Sequence, residues 1–581
     1  MVKSYGYISN QLTGALISSL GEVVWLPMPR YDSSPVFAKI LDEEYGGELK
    51  ILPNDEVVKG EMSYDVMNVL TLRLSLRSGK TVKVTYLIPI GESALLAKIE
   101  SDVEVRVIAK PTFEYGLYRP IVIYHRSALQ YLNPVNDDCL ALVYTEGKRG
   151  EDNSIVMQAG VNYIYLVYYK NFKHGLFSYK AESLRLNVKK AFENTVAYWK
   201  EKEKRVDKVN TRFKKLLKSS YGILLGTIYS PTSAPVASPA TSLPEIIGGK
   251  RNWDYRYAWI RDSSIIAEGL MDAGDVINAR RILNFLLGLI NFSSKPFLHP
   301  LYTIDGGDPP PEKEIRWLSG YKGSKPVRVG NQASEQIQLD VEGFFMSALW
   351  KYYEITHDKE FIKEVMPKIE YIANWEAENW RLKDASIWEE RGVSRHYTHS
   401  KAMMWIAMKR AGDLMKEIGE EDIWEDSRRE LRDWIFSNCV SKEGYLTRYA
   451  GSEEVDSALL SLPLYGFIDV RDEVFLKTLK KIEGELKSGL FVKRYLSDFM
   501  GEAKHPFLLT SLWLGRVYVR LGRADEAIKI LEELDRVSGD LGLLGEHYDV
   551  ENEEFTGNFP QAFVHAQVIS LISDISANSS K

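Results

Sequence analysis

The chain has 581 residues, more than one ordinary domain holds when domains average roughly 150 residues. Hydrophobic residues make up 45% and charged residues 27%, an ordinary globular composition that excludes a mainly disordered chain. The net charge is -6, both signs are mixed and no long basic run occurs, which argues against nucleic acid or an anionic membrane as partner. Aromatic residues reach 12%, and these rings suit both a large core, which composition favours, and stacking on the apolar faces of sugars. The two cysteines, Cys139 and Cys439, lie far apart, so neither a disulfide framework nor a cysteine metal site is expected. Met1–Gly6 is not followed by an export-signal pattern, and no apolar run nears the roughly 20 residues that span a bilayer. The expectation is a cytoplasmic protein.

The first third reads as β. Leu72, Leu74 and Leu76 alternate with Arg73, Ser75 and Arg77. Ser78-Gly79-Lys80 supplies a turn, and Val82, Val84 and Tyr86 resume the alternation. Period-2 patterning broken by a glycine turn is an antiparallel hairpin with one wet face. Val103, Val105 and Val107 repeat it, as do Tyr163, Tyr165 and Val167, which predicts an antiparallel β-sandwich over 1–185. The Lys-, Glu- and Arg-rich stretch 186–218 has no Pro or Gly and reads as a helical linker. A Pro/Ser/Ala-rich run follows to Pro244 and reads as a long ordered loop, because apolar patterning flanks it.

Helices dominate 219–581. Leu349, Trp350 and Tyr353 mark one stripe, Met404, Ile406, Ala407 and Ala411 a second, and Ala527, Ile528, Leu531 and Leu534 a third. About a dozen helices suit a closed α/α toroid, with a helical bundle pair as the alternative. No sequence repeat of fixed period appears.

Four segments carry chemistry. Gly248 to Asp262 packs Arg251, Arg256, Arg261, Asp254 and Asp262 among Trp253, Tyr255, Tyr257 and Trp259. So many charges do not suit a core helix, and so many rings do not suit a wet surface. The mixture fits a pocket that grips sugar hydroxyls; a salt-bridged structural clamp is the alternative. Trp388-Glu389-Glu390-Arg391 sets two carboxyls beside an aromatic wall, where desolvation favours a protonated acid, although Glu-Glu alone is commonly a helix surface. Gly545-Glu546-His547 offers an acid at a loop tip or an ordinary helix-ending turn. Asn558 to His565 places Asn and Gln in apolar surroundings, to shape a pocket or start the last helix. His396 and His399 lack a third ligand at matching spacing, and neither a phosphate loop nor a Gly-x-Ser-x-Gly elbow occurs. No metal and no cofactor are expected.

In this order the four segments resemble glycoside hydrolase family 15, the glucoamylase and trehalase family. Gly6-Tyr7-Ile8-Ser9-Asn10, Val24-Trp25-Leu26-Pro27, Val327 to Gln336 and His396 to Lys401 are similar to it as well, so the resemblance runs from about residue 5 to 570. It implies an N-terminal antiparallel β-sandwich, a linker and an (α/α)6 barrel. It puts the general acid on Glu389 and the general base on Glu546. It assigns Arg261 and Asp262 to the hydroxyls of the terminal glucose, with Tyr255 and Trp259 in the same segment. Glu390 would contact substrate near the leaving group, Arg494 would line the next subsite, and Trp317 and Trp388 would line the pocket. Ser386 departs from fungal members, which have an acid three residues before the general acid. No separate starch-binding domain is seen, since the barrel uses the chain to its end.

The implied reaction is inverting exo-hydrolysis releasing β-glucose, with the two carboxyls roughly 6.5–9.5 Å apart to admit water. The expected substrates are α-glucans and maltooligosaccharides; the alternative is a trehalase that splits α,α-trehalose with the same acid and base. A phosphorylase would replace Glu546 with anion-binding residues, and none is seen. A non-catalytic sugar-binding protein would not need both carboxyls. A homodimer is compatible with the sequence.

Overall fold

The structure, a computed structural model, describes residues 5–170 and 176–579. Residues 1–4, where the reading of a chain without an export signal begins, lie outside the described residues. Strand residues Val69–Leu76 and Thr81–Leu87 pair antiparallel, with Leu72 opposite Val84 and Leu74 opposite Val82. Leu72, Leu74 and Leu76 are buried while Arg73 and Ser75 are exposed, so the alternation marks the wet face as expected. These strands belong to an antiparallel sheet of eight. Its spatial order is Ile121–Tyr124, Ala128–Leu132, Asp138–Tyr144, Gly160–Lys170, Ala94–Ser101, Thr81–Leu87, Val69–Leu76 and Val57–Val66. Tyr5–Ser9 begins a four-stranded sheet and packs on Val69–Leu76 and Thr81–Leu87, which makes the β region layered. Val105–Lys110 pairs with Glu48–Pro53 in a further sheet, and Val103 stands just before that strand.

The helices are α1 (Leu176–Asp207), α2 (Lys214–Gly226), α3 (Ile260–Asp272), α4 (Val276–Leu289), α5 (Val341–Thr356), α6 (Lys359–Asn379) and α7 (Thr398–Glu417). They continue as α8 (Glu425–Asn438), α9 (Leu462–Tyr465), α10 (Glu473–Leu486), α11 (Leu508–Arg520), α12 (Ala524–Val537) and α13 (Ala562–Ser579). The odd-numbered helices from α3 to α13 form an inner ring that closes where α13 packs on α3. The even-numbered helices from α2 to α12 lie outside them, which makes an (α/α)6 barrel. Burial follows position. Every residue of α3 from Ile260 to Met271 is buried, as a helix between the interior and an outer layer requires. Outer α12 buries only the stripe Ala527, Ile530, Leu531, Leu534 and Val537.

The boundary expected at 185/186 falls inside α1, and the one expected at 218/219 falls inside α2. The physical reason is packing on both sides. Helix α1 lies against Asp138–Tyr144 and Gly160–Lys170 of the large sheet, and α2 buries Leu216 and Leu217 where it packs on α13. The Pro/Ser/Ala-rich run is ordered, and residues 234–245 are buried. Its Ala237, Ser238 and Ser242 amides donate to the carbonyls of Tyr257, Tyr255 and Trp253, so it lines the segment that leads into α3.

One buried ion pair joins the β region to that segment. Arg256 and Asp254 are both fully buried, with Arg256 Nε 2.9 Å from Asp254 Oδ1 and Nη2 2.9 Å from Oδ2. The remaining guanidinium donors reach Ser33 O at 2.9 Å and Tyr115 Oη at 2.7 Å, both in the β region. Breaking one side of such a pair leaves a buried charge alone and costs about 3–5 kcal/mol. Arg256→Met is expected to lose that much in denaturant unfolding. Removal of the exposed Arg536–Glu533 pair should cost nothing measurable; equal losses in the two would refute the assignment.

Candidate functional site

The segments that precede the inner helices α3, α5, α7, α11 and α13 meet in one cavity. Trp259 caps α3, the Trp388–Glu389 loop precedes α7, Phe507 caps α11 and Glu546 lies on the approach to α13. Helix N-termini direct partial positive charge into the cavity, which favours the carboxylates there. Tyr255, Trp259, Arg261, Asp262, Trp388, Glu389, Arg494 and Glu546 all line it. Its volume is about 820 Å³, the open mouth included, which is in the range of small-molecule sites.

The segment 255–259 reaches both acidic candidates. Tyr255 Oη donates to Glu546 Oε1 at 2.8 Å, and Trp259 Nε1 donates to Glu389 Oε2 at 2.9 Å. The two rings meet edge to face, with centroids 5.5 Å apart. Glu389 Oε2 also accepts from Gln338 Nε2 at 2.7 Å. With two donors on Oε2, Oε1 is the oxygen free to carry a proton. Glu389 sits at φ 56° and Ser386 at φ 70°, left-handed backbone that costs a side-chain-bearing residue roughly 1–2 kcal/mol each. The bonds from Glu389 N to Ser386 O at 3.1 Å and from Glu390 N to Ala385 O at 2.8 Å hold this turn.

On the cavity floor, Arg261 faces three carboxylates: Asp262 at 3.4 Å, Asp340 at 3.5 Å and Glu389 at 3.9 Å. Burial opposes its charge, yet Asp340, Asp262 and Glu389 hold the guanidinium above its ordinary pKa. Asp262 is pushed up to about 7 by burial, with Arg261 pulling the other way. His399, read from the sequence as lacking the partners of a metal site, is fully buried and held down to about 3 by burial, so it is neutral. Trp388 is a fixed wall: its Nε1 donates to both oxygens of Asp456, at 2.9 and 2.8 Å.

Glu546 is buried, and Gly557 presses against it. A Cβ at Gly557, whose φ is 80°, would stand 2.8 Å from Glu546 Oε2. Burial and the charge of Glu245 push the Glu546 carboxyl well up, while Arg494 and Tyr255 pull it down. Among the described residues, Glu245, Glu546 and His547 form one group whose ligand atoms lie within 4.8 Å of one another. Arg494 Nη2 already sits 2.7 Å from Glu245 Oε2, a fixed positive charge that disfavours a metal ion on that oxygen.

Two expected positions are corrected. Trp317 does not line the cavity; its Nε1 is committed to Tyr115 O at 2.9 Å, where the barrel meets the β region. Glu390 does not line it either, because Tyr397 Oη and Arg448 Nη2 hold its carboxylate in a buried bridge. Glu245, Arg251, Trp253, Arg391, Asp498 and Gln561 line the cavity but were not singled out individually. Arg251 and Trp253 belong to the dense 248–262 string, and Gln561 to the Asn/Gln segment, so those signals were present. Glu245 lies just past the loop-like run that ends at Pro244 and had none. Trp253 is held between the guanidiniums of Arg328 and Arg391, 4.4 and 4.3 Å from its ring centre.

A family model described as Glycosyl hydrolases family 15 matches residues 211–573, and one described as Trehalase-like, N-terminal matches residues 2–129. The chain is 48% identical to a protein named Trehalase 1 from Sulfolobus acidocaldarius, over 99% of both chains. It is 29% identical to a protein named Trehalase from Thermoplasma volcanium, covering 98% of this chain and 93% of that one. A bacterial glucoamylase solved with acarbose superposes with a TM-score of 0.71 at 14% identity, over 99% of this chain and 94% of that one, a likeness of fold. No helix among the described residues is long and apolar enough to cross a membrane.

The Asp262 carboxyl binds its proton more tightly in the folded chain than at the ordinary value near 3.9. Its contribution to stability is therefore complete below about pH 4 and is lost as pH rises through about 7. The melting temperature of the parent should fall further between about pH 4 and pH 8 than that of Asp262→Asn. Parallel curves would refute it.

Proposed function

Because the chain belongs to glycosyl hydrolases family 15, and is a glycosidase acting on sugar, we propose that it is an inverting α,α-trehalase with Glu389 as general acid and Glu546 as general base. The observation that carries the substrate is the 48% identity, over nearly all of both chains, to a relative named trehalase. α-Glucans and maltooligosaccharides, first in the expectation from sequence, become the second reading, supported by the glucoamylase fold alone.

The hydrogen bonds support this chemistry. Glu389 keeps Oε1 free of donors and delivers its proton to the glycosidic oxygen as the C1–O bond breaks. Glu546 takes a proton from water, whose oxygen attacks C1 from the opposite face. Positive charge develops on the ring between the two carboxyls, and Asp262 beside Arg261 offers acceptors and donors to the hydroxyls of that glucose. Trp388, Trp253 and Arg494 bound the space left for the departing sugar. Each trehalose yields one glucose released as the β anomer by inversion and one leaving as the α anomer.

Glucose release from trehalose, maltose, maltotriose and soluble starch, measured in parallel, tests the substrate. Trehalose is expected to be cleaved best, with equal α and β anomers at the first time points by NMR. Preference for maltotriose and starch would return the reading to glucoamylase. Glu389→Gln and Glu546→Gln should each lower kcat by about 10²–10⁴-fold; full activity in either would remove that residue from the chemistry. Tyr255→Phe deletes a hydrogen bond to a charged group worth about 1.5–3 kcal/mol. Its kcat should fall about 10–100-fold with KM nearly unchanged, and a rise in KM alone would make Tyr255 a binding residue instead.

A further inference from the structure

Glu245 lies in the cavity wall beside the base, and the reaction as written has no use for it. It is buried, with 4% of its surface exposed, on the loop that runs alongside residues 253–257. Each of its oxygens accepts a hydrogen bond. Oε1 accepts from Trp253 Nε1 at 3.1 Å, and Oε2 accepts from Arg494 Nη2 at 2.7 Å. Glu546 has a single side-chain donor, the Tyr255 hydroxyl at 2.8 Å. Between the two carboxyls stands His547, whose Nε2 is buried, makes no hydrogen bond and lies 3.7 Å from an oxygen of each.

The charges around the pair do not cancel. Glu245 and Glu546 bring two carboxyls into a site where Arg494 bonds to Glu245 and acts on Glu546 through its charge. Arg251 is committed to Asp498, at 2.8 and 2.5 Å. His547 is held neutral by burial and by Arg494, with His505 and Arg251 adding to the effect. Tyr255 is neutral, and Asp262 adds to the negative side once it loses its proton near pH 7. Two like charges this close in a buried site bind one proton tightly. The donors are unevenly shared: Glu245 accepts from a guanidinium and an indole N–H, whereas Glu546 has the Tyr255 hydroxyl alone, and burial and the charge of Glu245 push its carboxyl up.

We infer that Glu245 is a positioning residue for the base, sharing Arg494 with Glu546 and setting, through its fixed charge, the pH above which Glu546 can accept a proton from water. The inference rests on the proposed assignment of Glu546. A base with a raised proton affinity is the stronger one once charged, and it becomes charged nearer neutral pH.

The test is the pH dependence of kcat/KM for the parent, Glu245→Gln and Glu245→Asp, on whichever sugar the parent cleaves. Loss of the like charge in Glu245→Gln should move the acidic limb down by about one pH unit. Glu245→Asp keeps the charge but withdraws it by one methylene, so its limb should move the same way by less. If Glu245→Gln fails to fold, as judged by circular dichroism, the Asp variant carries the test alone. A limb that stays in place while kcat falls would reduce Glu245 to a structural role, and a limb that moves up would overturn the inference. An active Glu546→Gln variant would instead refute the assignment of the base, so the two failures are separable.

Discussion

The site depends on a charge pair that never meets solvent. Arg256 and Asp254 are fully buried, and every guanidinium nitrogen has an acceptor: Asp254 itself, Ser33 O and Tyr115 Oη. Asp254 also accepts from the amides of Arg256, at 3.2 Å, and Gly330, at 3.0 Å. An ion pair buried in this way rarely adds much net stability, since desolvation offsets the attraction. It does specify one arrangement. Residues on either side of it, Tyr255 and Trp259 among them, have little freedom to turn, and the β region is bound to the barrel through the same guanidinium.

Around that constraint the barrel collects charge at one end. Arg261 among three carboxylates, Arg494 on Glu245 and Arg448 on Glu390 are buried or nearly so. Each would be costly alone. Together, in and beneath the cavity, they form a polar layer whose members hold one another in place. The left-handed backbone at Ser386 and Glu389 fits this pattern, because strain persists only where the surroundings over-determine it.

Much of this was legible in the sequence, and the limits have physical causes. The hairpin over 69–87 was readable because its two faces meet different solvents. The 248–262 string was readable because no core helix and no surface needs that mixture. The α/α toroid and the bundle pair could not be separated by periodicity, since closure is a contact between α13 and α3, far apart in the chain. Glu245 was invisible for the same reason: an acid in a loop gains meaning only when Arg494 and Glu546 arrive from elsewhere. Trp317 and Glu390 show the converse. Residue type and neighbourhood pointed to the pocket, but a carbonyl at Tyr115 and a guanidinium at Arg448 claim their polar groups.

Tyr255 and Trp259 stand four positions apart on one stretch of backbone, and each grips one of the two carboxyls. The stretch works as a ruler. Four residues of chain span at most about 13–14 Å, and stiff rings extend from its two marks. The gap between acid and base is thereby gauged by a few covalent bonds and two aromatic side chains, not by the girth of a ring of helices.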